Sequence, residues 1–245
     1  MRNPSVGEKL ALALETIRST PRLALTKGDS VDRTFAAGIA SALGAKAVIT
    51  PAVWKDSDEW SELRMTVSRE ARGDGNGLTL LFPGLEAPFS SPMVVSQPNG
   101  SQQWPDAIVI HMRRAMAIEF KSADQDRILW NSGLPRKGGV YVFNGSPGLR
   151  AAAAAGKDGA SLSSTTFFLG EHVLDDETRD WLRVAALANQ EDAEKVNAML
   201  AKVGSPWNLY ARPMFNNRRP TLSDPERAAR ETGTLEFVRT FNWNP

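Results

Sequence analysis

No cysteine occurs among the 245 residues. Disulfides, zinc–thiolate sites and cysteine nucleophiles are excluded by that alone. Histidine is nearly as scarce: His111 and His172 lie far apart in the chain, so a histidine-rich metal site is not available. A metal, if used, must be a hard cation on carboxylate and carbonyl oxygens. No apolar run approaches the roughly 20 residues that span a bilayer. Charges interrupt the apolar N-terminal segment MRNPSVGEKLALALETIRS, so neither a membrane partner nor a signal peptide is expected. An excess of one charge is missing too. The formal net charge is +1, and the whole-chain balance does not speak for a nucleic-acid partner.

Charge distribution says more. Between Arg113 and Lys137 lie six basic residues (Arg113, Arg114, Lys121, Arg127, Arg136, Lys137) against three acids, and RPMFNNRR at 212–219 adds three arginines and no acid. The length suits one generous domain. We expect a helical part at 1–75, a sheet core at 78–170, and C-terminal helices with an Arg/Asn-rich tail at 171–245.

Helical spacing marks Val6–Ser19 through Leu10, Leu14 and Ile17, and Val31–Leu43 through Val31, Phe35, Ile39 and Leu43, with Gly44 as its stop. Further helices are expected near 57–72, at Asp176–Leu187 and at Asp192–Val203. Asp175, Asp176 and Glu177 open the first of that last pair and favour its dipole. The glycines of RGDGNG read as a turn, since no Lys-Ser/Thr follows. LTLLF (78–82), MVVSQ, AIVIH, AMAIEF, GVYVFN and TTFFLG are short runs of β-branched and aromatic residues. Their continuous apolarity indicates strands covered on both faces. The expected fold is α/β: a central mixed sheet flanked by helices. The alanine run 151–155 reads as one helical turn, and the tail from Gly204 as irregular structure on the body. Trp54, Trp60 and Trp181 read as packing residues, and His111 as a strand end.

The stretch that carries chemistry is WPDAIVIHMRRAMAIEFKS, residues 104–122. It reads as a hairpin: strand Ala107–His111, turn Met112–Arg114, returning strand Ala115–Phe120. Asp106 stands where the first strand begins; Glu119 and Lys121 stand near the end of the second. Glu119 and Lys121 are two apart and share a face, whereas Phe120 points to the other. Ala115 and Ala117 leave room on the face of Glu119. Two carboxylates at this spacing, with the carbonyl of Phe120 and water, suit Mg²⁺. Such a metal activates water and neutralises charge at a phosphodiester. Lys121 can orient or deprotonate the water, or stabilise the transition state. A surface ion pair on a charged hairpin is the bland alternative.

Pro105-Asp106, twelve residues, then Glu119-Phe120-Lys121 resembles the PD-(D/E)xK nuclease motif, whose largest functional group is the Type II restriction endonucleases. Gln97–Gln102 before the PD is similar to the entry seen in some of them. Lys121-Ser122, then Trp130-Asn131-Ser132-Gly133-Leu134-Pro135 and GVYVF, is similar to their continuation. The resemblance covers about 97–144. It implies a restriction-endonuclease-like fold, Mg²⁺-dependent cleavage of double-stranded DNA, a homodimer on a short palindrome, and a prokaryotic cytoplasmic setting. Many members carry a further Glu on an early helix. Here VDRTFAAGIASAL has none, and Asp29 and Asp32 are the nearby acids. A repair or junction-resolving nuclease of the same fold, and a non-catalytic DNA-binding protein, stay open beside this expectation.

Three polar clusters are candidates for contacting DNA. Asn131, Ser132, Arg136 and Lys137 follow the second strand; Asn and Arg are suited to paired hydrogen bonds with adenine and guanine edges. Gln97, Asn99, Ser101 and Gln102 precede Asp106, with a plain turn the favoured reading for Asn99. Arg212, Asn216, Asn217, Arg218 and Arg219 make the third, beside Phe215 and Tyr210.

Overall fold

A computed structural model describes residues 3–19, 29–45, 48–56, 58–72, 91–100, 103–112, 114–123, 127–130, 133–145, 164–209, 215–218 and 225–243. The expected run 78–82, the RGDGNG turn and the alanine run 151–155 lie outside them.

Six strands form one mixed sheet in the order β1-β2-β3-β4-β6-β7. They are β1 (Val48–Ile49), β2 (Met93–Ser96), β3 (Ala107–His111), β4 (Arg114–Ala123), β6 (Val140–Gly145) and β7 (Ser164–Leu169). β1 runs parallel to β2 and β4 parallel to β6; the other neighbours are antiparallel. β5 (Arg127–Trp130) leaves this sheet and pairs antiparallel with β8 (Phe215–Arg218).

One face packs against helices α1 (Val6–Ser19), α2 (Asp29–Leu43) and the C-terminal helix α6 (Pro225–Thr240). Its core joins Leu10, Leu14, Phe35, Ile39, Leu43 and Val238 to Val109, Met116, Ile118, Phe120, Val140 and Val142 of the strands. Phe35 meets Phe120 with ring centroids 5.2 Å apart. Gly44 ends α2 at φ +69, a left-handed conformation that glycine adopts without the steric penalty of a Cβ.

The other face carries two separate apolar clusters. Short α3 (Pro51–Asp56) and α4 (Ser61–Arg72) bring Trp54, Leu63 and Val67 onto Val95, Ile108, Ile110, Ala115 and Ala117. The β5–β8 pair brings Ile128 and Trp130 onto Tyr141, Phe143 and Phe168. Hence Ala115 and Ala117 do not leave open space; they are buried in the cluster beneath α3 and α4.

Several sequence expectations change. The two helices expected at 176–203 are one 27-residue helix, α5 (Asp176–Lys202), because no glycine or proline interrupts Ala188–Glu191. Asp175 caps it by accepting the Thr178 N–H at 2.7 Å. Trp181 lies on its exposed side, 70% accessible, rather than in the core; Trp54 is fully buried and Trp60 stacks beside it. Instead of an irregular tail, residues 215–218 form a strand and 225–240 a helix. β4 begins one residue earlier than expected and runs three residues beyond Phe120.

Candidate functional site

Glu119 and Lys121 lie on the face of the sheet that bears the two clusters, in the interval between them. Parallel pairing sets Glu119 opposite Tyr141 and Lys121 opposite Phe143. Ile118 and Phe120 alternate onto the helix-covered face, as strand periodicity requires. The hairpin register pairs Ala107 with Ile118, so β3 begins where Glu119 to Ala123 of β4 run on beside β6 alone. Asp106 occupies the step just before β3 and reaches across to that free edge.

Its carboxylate Oδ2 accepts the main-chain N–H of Phe120 at 2.8 Å. Glu119 Oε2 accepts the N–H of Asp106 at 3.2 Å, and Glu119 Oε1 accepts from Lys121 Nζ at 2.6 Å. Glu119 is almost completely buried, with its side chain 2% exposed, and Lys121 is 11% exposed. A carboxylate this deep would carry a desolvation penalty of several kcal/mol if it were alone. The ammonium at 2.6 Å and the Asp106 amide at 3.2 Å offset it. The N–H and C=O of one strand residue point to the same side. The Phe120 carbonyl therefore faces the side on which Asp106 lies. Among the described residues no three Asp, Glu or His side chains cluster. A cation here would draw on two carboxylates, that carbonyl and solvent.

An aromatic wall surrounds this group, and it was not read from the sequence. Trp130 presents its ring 6.0 Å from Lys121 Nζ and sits edge-on to Tyr141 at 5.2 Å. Tyr141 is buried, and its hydroxyl accepts the Arg136 N–H at 2.7 Å. Burial first, and the Glu119 carboxylate second, hold its phenol protonated far above the usual range. The guanidinium of Arg136 stacks 4.2 Å from the centroid of Trp104, two residues before Asp106. The alternation of Tyr141 and Phe143 in GVYVF marks their common face. Long-range β4–β6 pairing decides which residues that face meets.

The Arg136 segment is held firmly. Glu171 accepts from the Gly138 N–H at 2.8 Å, Arg179 donates to the Pro135 carbonyl, and the Gly170 N–H reaches the Gly139 carbonyl at 3.1 Å. A Cβ on Gly170 would collide with the main chain of Arg136. The loops on either side of Asp106 thus meet through the Arg136–Trp104 stack.

The remaining sequence candidates separate. Gln97 is buried at φ +47, donates its main-chain N–H to the Asp106 carbonyl at 2.6 Å, and its side-chain Nε2 has no partner among the described residues. Asn99 Nδ2 donates to the Trp104 carbonyl at 2.9 Å, which is the turn role expected for it. Lys137 lies 3.7 Å from Asp176 in an exposed pair. Asn216, Asn217 and Arg218 lie on β8, opposite Leu129, Ile128 and Arg127, so the third cluster joins the chain that follows β4. Ser101, Gln102, Asn131, Ser132, Arg212 and Arg219 lie outside the described residues, as do the side chains of Asp29, Asp32, Asn216, Asn217 and Arg218. The body of α2, which carries Asp29 and Asp32, packs on the opposite face of the sheet from Glu119. Among the described residues, no helix is long and apolar enough to cross a membrane.

No protein-family model, curated protein or solved structure matches the chain.

Proposed function

We propose that the chain is a magnesium-dependent endonuclease with a restriction-endonuclease-like fold, hydrolysing phosphodiester bonds of double-stranded DNA through Asp106, Glu119 and Lys121. One observation carries this reading. Two carboxylates and an ammonium converge at the edge where β3 starts and β4 runs past it, each already fixed by a main-chain or ionic partner.

Asp106, Glu119 and the Phe120 carbonyl are the oxygens that would hold Mg²⁺. Bound there, the ion supplies an activated water and neutralises charge on the scissile phosphate. The chain's own residues do the rest. Lys121, held at the opening by Glu119, can orient the water or stabilise negative charge on the phosphate oxygens. Tyr141 stays a neutral phenol behind Glu119 and adds no competing anion. The Arg136–Trp104 stack presents a cation beside the Asp106 loop, where it can meet DNA. A short, palindromic target read by a homodimer, one site per strand, belongs to this reading on the sequence resemblance, as does a prokaryotic cytoplasmic setting.

Digestion of a sequenced plasmid in Mg²⁺, with mapping of the ends, tests it. Discrete fragments with a common end sequence support a restriction endonuclease. Cutting of branched or damaged DNA alone points to a repair nuclease. Binding without any nicking contradicts a catalytic role.

A further inference from the structure

An open groove of about 580 Å³ lies between α3–α4 and the loop that joins β2 to β3. Its polar lining comes from Lys55, Arg64, Ser68, Arg69, Asn99 and Gln103, and no carboxylate lines it among the described residues. The helix pattern explains the grouping. Leu63 and Val67 form the buried stripe of α4, while Arg64 with Ser68, and Met65 with Arg69, repeat at four-residue spacing on the groove side.

The walls are fixed to one another. Trp54, fully buried, donates its indole N–H to the Pro98 carbonyl at 3.1 Å and so ties α3 to the loop. Arg64 Nη1 donates to the carbonyls of Trp54 and Lys55 at the end of α3. Both bonds use that one nitrogen, which orients the guanidinium and leaves Nε and Nη2 to a ligand. Arg64 and Arg69 stand about 7.5 Å apart along the helix axis.

The groove also adjoins the proposed site. Trp54, Leu63 and Val67 cover Ala115 and Ala117, and Glu119 is the next residue of the same strand on the same face, about 7 Å on. The groove loop is the one that delivers Asp106, closed by the Gln97 N–H on the Asp106 carbonyl.

We propose that this groove binds the sugar–phosphate backbone of duplex DNA beside the scissile bond, with Lys55, Arg64 and Arg69 as the phosphate contacts. The proposal rests on the nuclease reading for its choice of DNA as the anion. Lys55 and Arg69 are exposed, and neither side chain is part of the apolar cluster beneath the helices. Circular dichroism and a thermal melt establish that their joint replacement, Lys55→Ala/Arg69→Ala, is folded before binding is compared.

The test is fluorescence anisotropy of the full chain with a labelled duplex of several helical turns, in EDTA, over about 50–200 mM KCl. Two lost phosphate contacts lower the log–log salt slope by about 1.8, at about 0.9 each, and weaken binding at the low-salt end. An unchanged slope overturns the proposal, and so does wild-type protein that shows no salt-dependent duplex binding. Plasmid digestion in Mg²⁺ separates the two claims. Wild-type cleavage with an unchanged slope in the double variant removes the groove and leaves the nuclease. A reduced slope with no cleavage by wild type leaves the groove and removes the nuclease.

Discussion

Glu119 Oε2 accepts the main-chain N–H of Asp106 at 3.2 Å, while the carboxylate of Asp106 accepts the N–H of the residue after Glu119 at 2.8 Å. The two acids are thereby set side by side by the backbone of the hairpin, independently of any ligand. Such preorganisation lowers the cost of assembling a charged site.

A metal held by these two acids stabilises the folded chain. If the proposed site takes Mg²⁺, the ion at about ten times its dissociation constant should add about 1.4 kcal/mol. For a chain of this size that is about 3–6 °C in Tm. The double variant Asp106→Asn/Glu119→Gln should lose the rise. Thermal melts with and without Mg²⁺ measure it, and an equal rise in both proteins contradicts the assignment of these ligands.

The Glu119–Lys121 pair makes a stability prediction of a different kind. Lys121→Met takes the ammonium away from a buried carboxylate and should cost about 3–5 kcal/mol. Adding Glu119→Gln removes the stranded charge and should restore most of the loss. Urea unfolding of the three proteins decides it; a single variant as stable as wild type would show that the pair is not formed.

Away from the site, Glu231 of α6 clasps three elements. It accepts from Arg227 at 2.8 Å, from Thr166 of β7 at 2.7 Å and from Arg18 of α1 at 3.1 Å. Arg227 is 5% exposed, so Glu231→Ala leaves a buried guanidinium with the Thr165 carbonyl but without its carboxylate, and should cost about 3–5 kcal/mol. Arg18 is half-exposed, and Arg18→Ala should cost less than about 1 kcal/mol. Equal losses from the two substitutions would contradict this division.

His172 gives the chain a pH dependence. Its Nδ1 accepts the Leu169 N–H at 3.3 Å, a bond that protonation removes. Burial, first, and the Arg230 charge hold its pKa below the ordinary 6.5, against the pull of Glu171. The unfolded chain therefore takes up this proton at higher pH than the folded one. The stability from neutral His172 is present above the ordinary value and is lost as pH falls through and below it. Melting temperatures measured from pH 7.5 downwards should fall less steeply in His172→Gln; identical slopes would exclude the histidine as the source.

How much of this was legible in the sequence varies by element. The hairpin 107–120 was, because strand alternation and two short apolar runs around a basic turn leave little freedom in register. Helix α6 was not. Its buried positions, 227, 231, 234, 235 and 238, follow helical spacing, but the first three are Arg, Glu and Thr; Arg227 and Glu231 find partners on β7 and α1, and Thr234 donates to the Arg230 carbonyl of its own helix. A hydrophobic periodicity search does not register a polar core stripe. Tyr141 and the Arg136–Trp104 stack were hidden for another reason: parallel β4–β6 pairing joins segments that no local pattern connects.

The most direct test of the account is digestion of a sequenced plasmid by wild-type protein, Asp106→Ala and Lys121→Ala, with duplex binding by each followed in Ca²⁺. The wild type should yield discrete fragments in Mg²⁺ and none in EDTA. Each variant should bind duplex DNA about as well as wild type, while cutting falls by at least about 100-fold. Mg²⁺-dependent cutting at wild-type rates by both variants would contradict the assignment of the site.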